Sequence, residues 1–146
     1  MRDLVLVDTN VLLYEHDARD RQKQERARAW MTELWRSQLG RTSFQVLNEF
    51  YFNVTQKLKP GLARRAARGA VRALLAWEPF TFDVKTIEAA WEIQDRYRLA
   101  LWDALIVATA SVHACKHVLS EDLQHEQSFG EVAVINPFAV APEAIL

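Results

Sequence analysis

The alternation of apolar and polar positions divides the chain into short strands and amphipathic helices. Leu4 to Val7 is an apolar run that ends at Asp8, the pattern of a buried strand meeting a polar turn. Val11, Leu12 and Leu13 begin a brief helix that fades into the charged stretch His16 to Glu25. Ala27, Trp30, Met31, Leu34 and Trp35 recur at three- and four-residue spacing, so a helix is expected there, stopping near Gly40. Ser43 is placed to cap a further helix with Val46, Leu47, Phe50, Tyr51, Val54 and Leu58 on one face. Pro60 and Gly61 break it and open another, whose apolar side carries Ala67, Ala70, Val71, Leu74 and Leu75.

The second half continues the alternation. Phe80 to Phe82 is expected as a short strand, and Thr86 to Arg98 as a helix with Ile87, Ala90, Trp91 and Ile93 among its apolar positions. Leu99 to Val112 is apolar almost all round, which predicts a central buried helix. Val118 and Leu119 form a strand before Ser120, Glu121 and Asp122, and Val132 to Ile135 form another before Pro137. Strands alternating with helices predict an α/β fold, a sandwich with a mostly parallel central sheet. Nothing in the pattern divides the chain, so residues 1–146 are expected to form a single domain. Trp30, Trp35, Trp77, Trp91 and Trp102 mostly occupy apolar helical positions, so core packing is their expected role and base stacking the lesser alternative.

Composition narrows the classes. The chain has 146 residues, half of them apolar and a quarter charged, an ordinary globular balance that excludes disordered and collagen-like chains. Cys115 is the sole cysteine, so no intramolecular disulfide can form. Four apolar residues after Met1, Arg2 and Asp3 are too few for a signal-peptide core, and no run reaches the roughly 18 apolar residues of a membrane span. A soluble cytoplasmic protein is the expectation. The net charge of −1 hides a split: residues 1–73 carry 14 basic and 8 acidic side chains, residues 74–146 carry 4 and 11. Such asymmetry points toward a polyanionic partner, unless folding interleaves the halves.

Four carboxylates carry the candidate chemistry. Asp103 is the sole charge in the fourteen residues Leu99 to Val112, and an isolated carboxylate in apolar surroundings is costly. It must be paired, bound to a metal or set at a wet edge, or else it answers the dipole of its helix. Asp8 follows the first strand directly, where open α/β sheets place their ligands, although it could equally cap the next helix. Asp122 repeats that position after another strand, or is a surface turn. Glu49 lies opposite the stripe Leu47, Phe50 and Val54, on the side of Gln45, Phe52 and Gln56, which is either solvent or a cleft wall. Converging carboxylates repel one another unless a hard cation such as Mg²⁺ or Mn²⁺ sits among them. One or two such ions could activate a water and orient it toward a phosphodiester.

Other chemistries have less to support them. His16, His113, His117 and His125 show no zinc-type spacing, and with four glycines there is no glycine-rich phosphate loop. Cys115 follows a buried helix and reads as a packed residue rather than a nucleophile. A haloacid-dehalogenase phosphatase would want a second Asp two residues after Asp8, where this chain has Asn10.

The chain resembles the PIN-domain ribonucleases and, within them, the VapC-like toxins of toxin–antitoxin modules. The resemblance rests on Val7-Asp8-Thr9-Asn10-Val11-Leu12, Val46-Leu47-Asn48-Glu49-Phe50-Tyr51, Trp102-Asp103-Ala104-Leu105-Ile106 and Leu119-Ser120-Glu121-Asp122-Leu123, with Asn136-Pro137-Phe138 at the close. It implies a three-layer α/β/α sandwich with Asp8, Glu49, Asp103 and Asp122 at one end of the sheet. It also implies Mg²⁺- or Mn²⁺-dependent endonuclease cleavage of RNA, homodimers, and an antitoxin partner that covers the acidic cleft. Asp8, Glu49 and Asp103 map onto the principal acidic positions and Asp122 onto a more variable fourth, with Glu121 as its rival. Thr9, Asn10 and Ser120 match supporting polar positions, Ser120 standing where Thr is frequent. Arg64, Arg65, Arg68 and Arg72 form a helical stripe, and Arg19, Arg21, Lys23, Arg26 and Arg28 a second cluster. Either could contact RNA or an acidic partner segment, or simply be solvated. Two other classes remain open: an idle module that binds RNA or protein, and a metal-dependent phosphatase.

Overall fold

The computed structural model describes residues 3–146. The first strand, β1 (Val5–Val7), is buried along its length and runs straight into helix α1 (Thr9–Tyr14). Helix α2 (Arg21–Ser37) begins inside the stretch expected to be irregular, because the Asp20 carboxylate accepts the Lys23 N–H and starts the helix ahead of the first apolar position. It ends at Gln38 in the left-handed region, φ 62°, and the chain enters strand β2 (Gly40–Arg41). Ser43 caps α3 (Phe44–Gln56) as expected, its Oγ accepting from the Val46 N–H at 3.2 Å.

After Pro60 and Gly61 the chain is not yet helical. Leu62 N–H bonds back to the Val54 carbonyl, and helix α4 (Arg64–Leu74) starts only beyond it, with a 3₁₀ turn at Leu75–Trp77. Phe80 to Phe82 is not a strand: Phe80 makes one parallel bridge to Ser43, and the backbone then turns into α5 (Val84–Tyr97), capped by Asp83. Helix α6 (Leu101–Val112) is followed by β3 (His117–Leu119), β4 (Ser128–Phe129) and β5 (Val132–Ile135).

The five strands form one sheet in the order β2-β1-β3-β5-β4, parallel except for the edge strand β4. The chain leaves β1 toward β2 on one side and returns to β3 on the other. With right-handed crossovers, these opposite directions put the intervening helices on opposite faces, giving three α/β/α layers. The same reversal makes the gap between β1 and β3 the topological switch point, the place where such sheets hold ligands. Register completes the placement. Val7 pairs with Leu119, so Asp8 and Ser120 emerge side by side, and the Asp8 N–H still bonds to the Leu119 carbonyl at 3.0 Å.

The core under this sheet is continuous. Leu6, Val7, Val11, Trp30, Leu34, Phe50, Val54, Val118 and Leu119 are buried in one cluster, and Ala90, Ala104, Leu105 and Ala108 form a smaller one between α5 and α6. Trp30 is wholly buried, and its indole N–H is shared by the Pro137 and Val140 carbonyls, each at 3.1 Å. Cys115 is buried too, which pushes its thiol up to about 12 and leaves it unreactive. The expectation of core tryptophans fails at three positions. Trp35 rests on Trp77 but stays partly exposed, Trp91 on α5 is 55% exposed, and Trp102 at the start of α6 is 64% exposed. Periodicity marks an apolar face without saying that anything covers it. Among the described residues, no helix is long and apolar enough to cross a membrane.

Candidate active site

Asp8 is the hub of the polar end of the sheet. Its Oδ1 accepts the Thr9 N–H at 2.8 Å, the helix-capping bond of α1, so the cap and the site are one residue. Its Oδ2 accepts the Ser120 hydroxyl at 2.8 Å and lies 3.3 Å from the Asn10 amide nitrogen. Burial pushes the Asp8 carboxyl up to about 6, and the nearby Asp122 and Glu49 charges add to this. The bonds from Ser120 and Thr9 oppose the rise without cancelling it.

The other three acids arrive from separate elements. Glu49 projects from α3, its Oε2 accepting the Thr9 hydroxyl at 2.9 Å and its Oε1 the Gln45 amide at 3.0 Å. Gln45 stands one helical turn before Glu49, a spacing that sequence alone displays but that carries no meaning until the cleft is seen. Asp122 follows β3, and its Oδ2 accepts from the Asn10 amide at 3.2 Å. Asp103 sits in the first turn of α6. No donor among the described residues bonds to its carboxylate, whose pKa is raised by burial and by the Asp122 and Glu49 charges. Together the four line one cavity of about 190 Å³, with Thr9, Gln45, Val46, Trp102 and Ile106 completing the wall.

Asn10 and Ser120 lock the two strand ends together. Asn10 donates to Ser120 Oγ at 3.2 Å and accepts the Glu121 N–H at 3.1 Å, while the Asp122 N–H bonds to Ser120 Oγ at 3.1 Å. Glu121 faces away from the cavity. Its carboxylate is ion-paired with Lys23 and accepts the Tyr14 hydroxyl at 2.9 Å, and Lys23 lies over the Tyr14 and Phe138 rings. Of the two adjacent acids, Asp122 is therefore the one presented to the cavity.

The donor chemistry suits a hard divalent cation, being oxygen throughout. The side chains are not, however, gathered into a cage: among the described residues, no three His, Cys, Asp or Glu groups stand in metal-holding geometry. Glu49 and Asp122 are instead engaged by protein donors, Glu49 by the Thr9 hydroxyl and the Gln45 amide and Asp122 by the Asn10 amide.

The arginines are placed elsewhere. Arg64, Arg65, Arg68 and Arg72 lie on the exposed side of α4 and none lines the acidic cavity; Arg68 Nε donates to the Tyr51 hydroxyl at 3.1 Å. Most of the second cluster is engaged within the fold. Arg19 pairs with Asp17 through two nitrogens, Lys23 with Glu121, and Arg26 and Arg28 donate to the Pro137 and Glu15 carbonyls. A second hollow of about 310 Å³ shares Asp122 with the acidic cavity and adds Asn10, Tyr14, Arg19, Asn53 and Lys57, a neighbourhood the sequence did not reveal.

Comparison with known proteins agrees with the fold. A search of curated proteins gave no significant match. A solved structure described as a toxin–antitoxin complex from Klebsiella pneumoniae shares the fold, with a TM-score of 0.63 at 19% identity over 91% of this chain and 97% of that one. The family model of the PIN domain matches residues 5–129, a span that takes in four of the five strands, β1 to β4, and contains Asp8, Glu49, Asp103 and Asp122; the chain belongs to the PIN domain family.

Proposed function

We propose that this chain, as a single domain, is a Mg²⁺- or Mn²⁺-dependent endoribonuclease, acting in the cytoplasm as the toxin of a toxin–antitoxin pair. The observation that carries the proposal is the convergence of Asp8, Glu49, Asp103 and Asp122, from four separate segments, on one cavity at the switch point of the sheet. PIN domains are generally nucleases, which sets the reaction class. The similar fold of a protein found in a toxin–antitoxin complex supports an antitoxin as partner.

In this reading Asp8, Glu49, Asp103 and Asp122 hold the cation. Bound there, Mg²⁺ or Mn²⁺ would offset the clustered charge and make water a stronger nucleophile at neutral pH. The chain does the rest. Thr9 N–H and the Ser120 hydroxyl hold Asp8 in one orientation, and the Thr9 hydroxyl and Gln45 do the same for Glu49. Asp103, with no donor bonded to its carboxylate, keeps its oxygens available to hold the cation and to orient water beside it. Asn10 fixes the spacing of Asp8 and Asp122 from one amide group.

Substrate affinity must come from outside the acids. Arg64, Arg65, Arg68 and Arg72 on α4, with Lys57 in the adjoining hollow, supply positive charge for an RNA backbone. Val84, Ile87 and Trp91 make an exposed apolar stripe along α5, which supports a homodimer. The test is cleavage of total RNA with cut sites mapped, at micromolar protein, with Mg²⁺ and with excess EDTA. Cleavage is expected only with the metal, and Asp8→Asn and Asp103→Asn should each abolish it. Equal cutting in EDTA, or full activity of both variants, overturns the proposal. Turnover of a chromogenic phosphate monoester without RNA cleavage would make the protein a phosphatase instead.

A further inference from the structure

Trp102 does not behave as its sequence context predicts. From Ala104 to Ala110 helix α6 is continuously buried, yet the indole two residues earlier is 64% exposed. Among the described residues it stacks on no ring and its Nε1 donates no hydrogen bond. Trp30 and Trp77, by contrast, are both packed, one bonded to carbonyls and the other against Trp35. An uncovered indole keeps a large apolar face in water, which is unfavourable at roughly 25 cal/mol per Å².

Its position gives that exposure a use. Trp102 lines the same cavity as Asp8, Glu49, Asp103 and Asp122, and no lysine or arginine does. Phosphates brought to such a cavity meet like charge that a bound cation would offset, and with no basic side chain in the wall the attraction left for the protein itself to supply there is non-ionic. A flat π-face is the group that supplies it, because every nucleobase can stack on an aromatic ring irrespective of charge. We infer that Trp102 is the base-stacking platform of the site, receiving an unpaired nucleobase next to the scissile phosphate. The inference rests on the ribonuclease reading above and adds to it a specific contact and a requirement that the nucleotide be free of a duplex. In A-form RNA the bases are already stacked on each other and the ring has no face to meet.

The experiment uses a fluorescein-labelled single-stranded RNA decamer and the full chain carrying Asp8→Asn, which keeps the probe uncut. Trp102→Ala should weaken binding about tenfold to a hundredfold, as loss of one stacked base does, while Trp102→Phe keeps most of the affinity. An abasic residue is then walked along the decamer. At one position it should weaken the parent as much as Trp102→Ala does and have no further effect on Trp102→Ala itself. A blunt duplex should bind equally well with either side chain. In the cleaving enzyme, Trp102→Ala should raise KM and leave kcat nearly unchanged. Binding by Trp102→Ala within twofold of the parent, or abasic effects that simply add to it, overturns the inference and leaves the nuclease reading standing. So does a Trp102→Ala variant that loses self-association in sedimentation but not RNA affinity, which would make the ring a protein contact. A wild-type chain that neither binds nor cuts RNA overturns both.

Discussion

The Ser120 hydroxyl donates to Asp8 Oδ2 across 2.8 Å, joining two residues 112 apart in sequence that leave neighbouring parallel strands at the same level. One bond thus ties the fold to the site, because it exists only where the register pairs Val7 with Leu119. It is also insufficient. Burial outweighs it, and Asp8 remains a carboxylate that the metal-free fold would hold more easily protonated.

The first prediction concerns that conflict. A carboxyl raised from 3.8 to about 6 disfavours the folded state at neutral pH by up to about 3 kcal/mol. Asp8→Asn should therefore stabilise the metal-free chain while abolishing cleavage: the introduced amide carries no charge and its oxygen still accepts from Thr9 N–H, a gain reduced by loss of the oxygen that accepts from Ser120 and Asn10. Thermal unfolding in EDTA checks this, with a higher Tm expected for the variant at pH 7. Added Mn²⁺ should raise the Tm of the parent alone, because only a state that binds the ion gains from it. A lower Tm for Asp8→Asn in EDTA would show that the charge is already well accommodated.

A second prediction separates Glu15 from the site. Burial raises its carboxyl to about 7, against an opposing pull from Arg28. The folded state holds this proton more tightly than the unfolded chain, so its contribution to stability is present below about 4.5 and lost as pH rises toward 7. His16 beside it is pushed down by burial, and its protonation works the other way as pH falls. Comparing Glu15→Gln with the parent isolates the Glu15 part. The variant should gain stability over the parent progressively between pH 5 and 7, read from urea midpoints, with metal-dependent cleavage unaltered. Parallel pH profiles for the two proteins would remove the assignment.

What the sequence conveyed follows from the physics of each signal. Asp8 and Ser43 were legible because each is a short polar side chain at the boundary of an apolar element, where capping and strand ends leave a local mark. Gly40–Arg41 and Ser128–Phe129 were not, since two-residue strands have no period and exist only through pairing with Val5 and Val132. Glu49 was visible as facing away from the core stripe, but whether that side is bulk water or a cavity wall depends on what lies beyond α3. Asp122 was legible as the fourth acid with Glu121 as its rival, but the contact that sets them apart, Lys23 pairing with Glu121, is made from 98 residues away and leaves no local mark.

The glycines give predictions of opposite sign. A Cβ at Gly61 would lie 2.1 Å from the Val54 carbonyl oxygen and 2.6 Å from that of Leu58, both backbone atoms that cannot step aside. Gly61→Ala should cost about 1–3 kcal/mol by prising apart the turn that closes α3. Gly69 sits inside α4 with nothing within 4 Å of an added Cβ. Gly69→Ala should stabilise by about 0.5–1 kcal/mol, the difference in helix propensity. Urea unfolding of the two variants decides, and equal effects of either sign would contradict the packing described.

The last prediction tests whether α4 faces RNA. Arg64, Arg65 and Arg72 are exposed, whereas Arg68 is held over Tyr51 of α3, so reversing the first three alters surface charge without disturbing that contact. A cation bound to a phosphate displaces counterions, and each such contact contributes close to one unit to the slope of log K against log salt, less for single strands. The triple variant Arg64→Glu, Arg65→Glu, Arg72→Glu should bind a single-stranded RNA decamer more weakly at low salt and with a shallower slope, by about two units if all three touch phosphate. Since these side chains lie off the acidic cavity, kcat at saturating RNA should hold while KM rises. Unchanged affinity and slope at low salt would remove α4 from the RNA path and leave its arginines free to serve an acidic segment of a partner protein.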